Sequence, residues 1–226
     1  MGARMAIVDG PQPAGGPFPV LGSPNRAASA RCARKNAMPI LLLSGGIESA
    51  TLLYERCGRG GLHALFIDYG QRAARPEQAA AKALCEDTGT PLTVLPLRGL
   101  GKALAPPGPF SPHVPLKARN LLAVAMAANQ ALALQARAVL LGVQRDDQGH
   151  REGAPPFITA LTETLAALGL ALETPYRELG KGAVVARGRA LGVDYTRTYS
   201  CLLGRRVPCG RCPQCQARAQ ALAIYA

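Results

Sequence analysis

Residues 40–49 read Ile-Leu-Leu-Leu-Ser-Gly-Gly-Ile-Glu-Ser, and an apolar, helix-forming stretch, Ala-Thr-Leu-Leu-Tyr-Glu, follows at once. Four consecutive apolar residues without polar alternation suit a strand covered on both faces, the environment at the centre of a parallel sheet. Ser44, Gly45 and Gly46 then supply a tight turn, and a helix opening near Ser49 would aim its unpaired N–H groups at the same point. Glycines carry no Cβ, so an anion can approach their backbone closely, and the positive end of a helix favours negative charge. The stretch therefore predicts an α/β domain with a phosphate cradle. It matches neither of two familiar phosphate loops, because no Gly-Lys-Ser/Thr follows four residues on and no third glycine completes a dinucleotide fingerprint. An ordinary turn is the competing reading of these residues taken alone.

The remainder of the chain decides for a doubly wound parallel sheet. A second apolar run, Leu62–Ile67, ends in Asp68-Tyr69-Gly70-Gln71-Arg72, and ligands of open parallel sheets bind beyond the carboxyl ends of strands. Pro76 opens an alanine-rich helix that Thr88-Gly89-Thr90-Pro91 closes, and Leu92–Leu95 make a third strand. Residues 99–116, rich in glycine and proline, read as a surface loop of the lid or binding kind. Arg119-Asn120 precede a helix from Leu121 to about Gln135, and Ala138–Val143 form a fourth strand. A polar loop, Gln144 to Pro156, leads to a helix over Phe157–Leu168, then a short edge strand near Leu172–Pro175. A last helix runs from Lys181 to about Leu191. Strand and helix alternate throughout, the signature of βαβ units.

At 226 residues the chain suits one sizeable core with a small appendage. We expect an extension over 1–37, an α/β domain over 38–195 and a cysteine-bearing segment over 196–226 packed on it; Met38, just before the first strand, is read as a candidate start. A formal charge of +12 favours an anionic partner. The arginines are not interleaved with aromatics, so the pattern does not specify a nucleic-acid surface. No run of eighteen apolar residues occurs, and a cytoplasmic setting without a membrane partner is expected.

Four of the seven cysteines, Cys201, Cys209, Cys212 and Cys215, stand as C-x7-C-x2-C-x2-C. Two-residue spacers let a turn place two sulfurs on one ion, and four thiolates satisfy tetrahedral zinc with no position left open, which makes a zinc site structural. An iron–sulfur cluster is the rival ligand for the same spacing. Cys32, Cys57 and Cys85, and the dispersed His63, His113 and His150, are not read as ligands or bases.

In this order the motifs resemble the 7-cyano-7-deazaguanine synthases of the queuosine precursor pathway, members of the ATP-pyrophosphatase group with an adenine-nucleotide α-hydrolase-like fold. The resemblance covers about residues 38–222. It rests on Ser44-Gly-Gly-Ile-Glu-Ser49, Asp68-Tyr-Gly-Gln-Arg72, Arg119-Asn120, Gly142-Val143 with an acidic pair after it, Lys181, Thr198-Tyr-Ser-Cys201 and the closing Cys-Gly-x-Cys-x-x-Cys. It implies a ligase-type enzyme that uses ATP and magnesium to convert 7-carboxy-7-deazaguanine and ammonia into the nitrile, through an adenylated carboxylate and an amide. No nucleic acid is required, and a homodimer is implied. Ser44, Glu48 and Lys181 would be catalytic. Ser44, Gly45, Gly46, Ile47, Glu48, Ser49, Asp68, Gln71, Arg72, Arg119, Asn120, Gly142, Asp147 and Lys181 would bind ATP and its metal, and the four cysteines would hold zinc.

Two departures stand out. The family carries Asp where this chain has Glu48, whose carboxylate reaches about 1.5 Å further. The loop that contacts the substrate in the family is here Asp147-Gln-Gly-His-Arg-Glu-Gly-Ala-Pro-Pro-Phe157, which lacks the family's Cys-Arg pair and last acid. Three further readings follow: a relative that acts on another carboxylate or another amine, a tRNA-modifying protein, and a nucleotide-binding module without catalysis.

Overall fold

The computed structural model describes residues 38–58, 61–104 and 113–223. Five parallel strands form one sheet in the order β3-β2-β1-β4-β5. They are β1 (Ile40–Leu42), β2 (His63–Asp68), β3 (Leu92–Pro96), β4 (Ala138–Leu140) and β5 (Ala171–Glu173). The uninterrupted apolar run at 40–43 is explained by its place. β1 lies between β2 and β4, and Ile40, Leu41 and Leu43 are all but fully buried.

Successive side chains serve opposite faces. Leu41, Leu43, Ala64 and Phe66 pack with helices α1 (Ile47–Arg56), α2 (Ala74–Thr88), α6 (Lys181–Ala190) and α7 (Pro213–Ala223). Ile40, Leu42, Leu65 and Ile67 pack with α4 (Arg119–Ala133) and α5 (Pro155–Ala167). The result is the three-layer α/β architecture the alternation predicts. The chain reverses direction across the sheet between β1 and β4, so the crevice at their carboxyl ends is the topological switch point where such sheets bind ligands.

The 99–116 stretch corrects the sequence reading in part. Its beginning is helical, α3 (Arg98–Leu104), despite Gly99 and Gly101. Propensity loses here to tertiary contacts. Leu97 N–H donates to the Asp68 carbonyl at 2.6 Å, and Arg98 Nε pairs with the Asp68 carboxylate at 2.5 Å. A Cβ at Gly101 would come 2.1 Å from the Tyr69 carbonyl oxygen, so only glycine lets α3 close against that turn. Of the rest of the expected loop, 113–116 are irregular as expected, whereas 105–112, like the expected extension over 1–37 with Cys32, lie outside the described residues. Three further elements go beyond the sequence reading: a 3-10 helix at Arg145–Gly149 inside the polar loop, another at Tyr195–Arg197, and α7 after the cysteine knuckles.

Candidate active site

The turn after β1 is built by two glycines with different duties. Gly45 has φ 77°, and a Cβ there would approach the Glu77 carbonyl oxygen to 2.6 Å, so α2 packs directly onto the turn. Gly46 is the N-cap of α1, extended at φ −83°, ψ 176°, and offers no side-chain cap to the first turn. A Cβ added there would meet only Ser44 Oγ, at 3.3 Å, and atoms at 3.9 Å. The N-terminus of α1 is thus left open on the solvent side. Two serines hold the turn. Ser49 Oγ accepts Ser44 N–H at 3.2 Å and donates to the Gly46 carbonyl at 3.3 Å, while Ser44 Oγ accepts Gly46 N–H at 3.3 Å.

The turn forms one wall of a cavity of about 500 Å³. Of the residues singled out from the sequence, Ser44, Gly46, Glu48, Ser49, Gln71, Arg119, Asn120, Gly142, Asp147 and Lys181 line it. Lys181, the first residue of α6, ion-pairs with Glu48, and the two side chains are only 16% and 18% exposed. Gly142 lies flush against the first turn of α1, where a Cβ would be 3.3 Å from Ser49 N and 3.4 Å from Glu48 Cβ. Asp147 accepts Gln144 N–H at 3.0 Å and so closes a capping box on the 3-10 helix, while the neighbouring Asp146 accepts Lys181 N–H at 3.3 Å. Glu152 receives the N–H groups of Asn120 (2.9 Å) and Leu121 (3.4 Å), and so caps α4.

Other residues singled out lie elsewhere. Gly45 contributes its backbone to the turn, and Ile47 is buried in the core. Asp68 is 2% exposed and committed to Arg98 and to Gly70 N–H, at 3.2 Å, so it braces the turn after β2 from beneath. Arg72 is exposed, off the cavity wall, and its N–H donates to the His113 carbonyl at 3.0 Å.

The cavity also gathers Tyr69, Tyr199 and Ser200, quoted within motifs but given no role of their own, and Glu77, His113 and His150, which the sequence reading left out of the site. Both histidines sit in loops beyond strand ends, a signal that was present but too dispersed to use. Glu77 carries no motif at all. Burial pushes the Tyr69 phenol up to about 12, opposed by the adjacent Arg119 charge. Burial likewise raises the Glu77 carboxyl, against the Gln71 hydrogen bond and the pull of Arg119.

The four cysteines converge beside this cavity. Their sulfurs all lie within 4.8 Å of one another, and Cys209 and Cys215 are 4.0 Å apart. Tetrahedral ligands at 2.3 Å from one ion stand about 3.8 Å apart, so the set could hold a single metal ion. Backbone N–H groups of Arg211 and Cys212 lower the Cys209 thiol to about 6, whereas burial raises the Cys215 thiol to about 12. The segment is tied to the turn itself. Tyr199 N–H donates to the Gly45 carbonyl at 2.8 Å, and Tyr199 Oη donates to the Arg205 carbonyl at 2.8 Å.

No helix among the described residues is long and apolar enough to cross a membrane. Among solved structures, the fold is similar to the NMN synthetase from Francisella tularensis (TM-score 0.55, 18% identity, covering 80% of this chain and 74% of that one). It is also similar to the U34-tRNA thiolase NcsA from Methanococcus maripaludis (TM-score 0.53, 17% identity), matching 84% of this chain and 64% of that one. At such identities the likeness concerns the fold alone. Sequence relatives reach further. The 7-cyano-7-deazaguanine synthase 1 of Sulfurisphaera tokodaii is 31% identical over 80% of this chain and 91% of its own length. The 7-cyano-7-deazaguanine synthase of Thiobacillus denitrificans is 35% identical over 79% and 90%. The family model described as queuosine biosynthesis protein QueC matches residues 38–106 and 108–226. With this turn, this cavity and this cysteine set, the chain belongs to the QueC family of queuosine biosynthesis proteins.

Proposed function

We propose that the protein is an ATP-dependent, ligase-type enzyme that converts 7-carboxy-7-deazaguanine and ammonia into 7-cyano-7-deazaguanine. The observation that carries this reading is the open N-terminus of α1, with its glycine turn, facing the same cavity as Lys181 and Arg119. A carboxylate has no good leaving group, and adenylation supplies one. The carboxylate oxygen attacks the α-phosphorus of ATP and pyrophosphate departs. Ammonia then displaces AMP and loses a proton, leaving the amide. A second ATP activates the amide oxygen in the same way, and loss of AMP with the amide protons leaves the nitrile.

The residues divide that work. The backbone N–H groups of the turn and the hydroxyls of Ser44 and Ser49 receive the departing pyrophosphate, where fixed donors stabilise developing charge without reorganisation. Lys181 adds a point charge suited to phosphate oxygens. In the free protein that charge is matched by Glu48. Arriving phosphates take over Lys181, and the released Glu48 carboxylate would hold magnesium directly or through water. Magnesium supplies charge neutralisation on the phosphates. The cysteine set suits zinc by donor type and spacing, and zinc there stabilises the fold. Tyr199 transmits that stability to the turn.

The test incubates purified protein with ATP, magnesium, ammonium and 7-carboxy-7-deazaguanine and follows AMP, pyrophosphate and base products by mass spectrometry. The expected result is the nitrile, with two AMP for each. AMP without nitrile would assign the chain to a different acceptor, and ATP binding without pyrophosphate release would end the enzymatic reading. Light scattering checks the homodimer.

A further inference from the structure

Four carboxylates line the cavity, and three of them are committed elsewhere. Glu48 is neutralised by Lys181. Asp147 is held by Gln144 N–H, and Glu152 by the N–H groups that open α4. Glu77 is different. Its backbone is fixed beside the glycine turn, with its N–H donating to the Ala73 carbonyl at 3.0 Å and its carbonyl packed under Gly45. Its side chain has one hydrogen-bond partner among the described residues, the neutral amide of Gln71, at 3.1 Å from Oε2.

Gln71 is itself built for orientation. It is 6% exposed; its oxygen accepts Tyr69 N–H at 3.0 Å, and its nitrogen donates to the Ile67 carbonyl at 3.2 Å as well as to Glu77. Glu77 is therefore aimed by a rigid neighbour while Oε1 remains unpartnered among the described residues. Tyr69 and Arg119 line the same cavity, and the Arg119 charge acts on Glu77.

We infer that Glu77 is a specificity-determining residue that accepts the two adjacent N–H donors, ring N1–H and exocyclic 2-amino, of the deazaguanine base. A guanine-type edge presents those donors side by side, and an ionised carboxylate is the side chain that accepts both at once. The carbonyl oxygen next to them on the ring is then left for a cationic donor of the same cavity, such as Arg119. This inference rests on the substrate class proposed above and adds the group that reads it. It also explains how a chain whose 147–157 loop lacks the family's Cys-Arg pair can still recognise the base from another wall of the cavity.

The experiment measures equilibrium binding of 7-carboxy-7-deazaguanine and of its 2-deamino analogue, by calorimetry, to the wild-type protein and to Glu77→Gln and Glu77→Asp. The wild type is expected to prefer the amino-bearing compound by at least about tenfold, since a site built for a hydrogen bond rejects a ligand that lacks it. Glu77→Gln is expected to reduce that preference to within about threefold with unchanged ATP affinity. Glu77→Asp, which keeps the charge and withdraws it, is expected to fall between the two. A wild type that binds both compounds equally would overturn the inference without reference to any variant. So would a Gln variant that keeps the full preference, or one whose loss is in ATP binding. The nitrile assay separates the two levels: nitrile formation with no role for Glu77 sinks this inference alone, whereas base discrimination through Glu77 without nitrile sinks the proposed reaction and leaves the subsite standing.

Discussion

The two glycines of the turn should fail in different ways when each is changed to alanine. At Gly45 the new methyl meets the Glu77 carbonyl oxygen at 2.6 Å, and the backbone sits at φ 77°, where an L side chain is strained. The left-handed conformation costs about 1–2 kcal/mol and overpacking against a backbone atom about 1–3 kcal/mol more. A total near 2–5 kcal/mol corresponds to a fall in Tm of roughly 4–20 °C for a domain of this size. At Gly46 the backbone is ordinary and the nearest neighbour is a hydroxyl at 3.3 Å that can move. The fold should lose about 1 kcal/mol or less, the cost of alanine at an N-cap. Yet on the proposed function that methyl stands in the path of a phosphate, and a misplacement of about 1 Å at a reacting centre can cost on the order of a hundredfold in rate. Thermal melting and carboxylate-dependent pyrophosphate release, measured on both variants, separate the effects. The expectation is an unstable Gly45→Ala, and a stable Gly46→Ala that releases pyrophosphate about a hundredfold more slowly. Equal melting of the two variants, or wild-type turnover by Gly46→Ala, would refute the division of labour.

Three other outcomes follow from the same geometry. Cys212→Ser should lose bound metal by elemental analysis, melt lower, and slow pyrophosphate release as well, because Tyr199 joins the cysteine segment to Gly45; unchanged turnover in a metal-free variant would cut that link. Lys181→Met should reduce AMP formation by about a hundredfold or more, and adding Glu48→Gln should recover about 1–2 kcal/mol of stability but no activity, as a coupled, partly buried pair predicts. Glu77→Gln should melt above the wild type at neutral pH without substrate. Burial raises the folded-state pKa of Glu77 above its ordinary value of 4.5, so the stability tied to its proton is full below that value and lost as pH rises through the folded one. The advantage of the variant should therefore shrink as pH is lowered towards 4.5, and a pH-independent difference would contradict the cause assigned.

The layered sheet was legible because its strands are nearly continuous apolar runs and its helices carry capping punctuation. The turn at Ser44–Gly46 was legible for a similar reason: its chemistry is local. Residues whose role depends on what lies across the cavity were not. Asp68 sits at a strand's carboxyl end, where ligand contacts are expected, but Arg98 from the next helix claims it. Glu77 looks like any acid in a first helical turn until Gln71 and Arg119 are seen beside it. Glycine and proline in 99–116 spoke for a loop, and only the fit of Gly101 against Tyr69 makes its start helical.

Glu48 and Lys181 stand 133 positions apart in the chain, and the partner of Gly45 emerges later still. On a ribosome working at about 5–20 residues per second, the glycine turn would be exposed for on the order of ten seconds before its lysine exists. A half-made chain carries the glycine turn but neither the Lys181 charge nor the Tyr199 brace. The turn is therefore made early and completed late: its ion pair and its brace form only once the segment carrying Lys181 and Tyr199 has been synthesised.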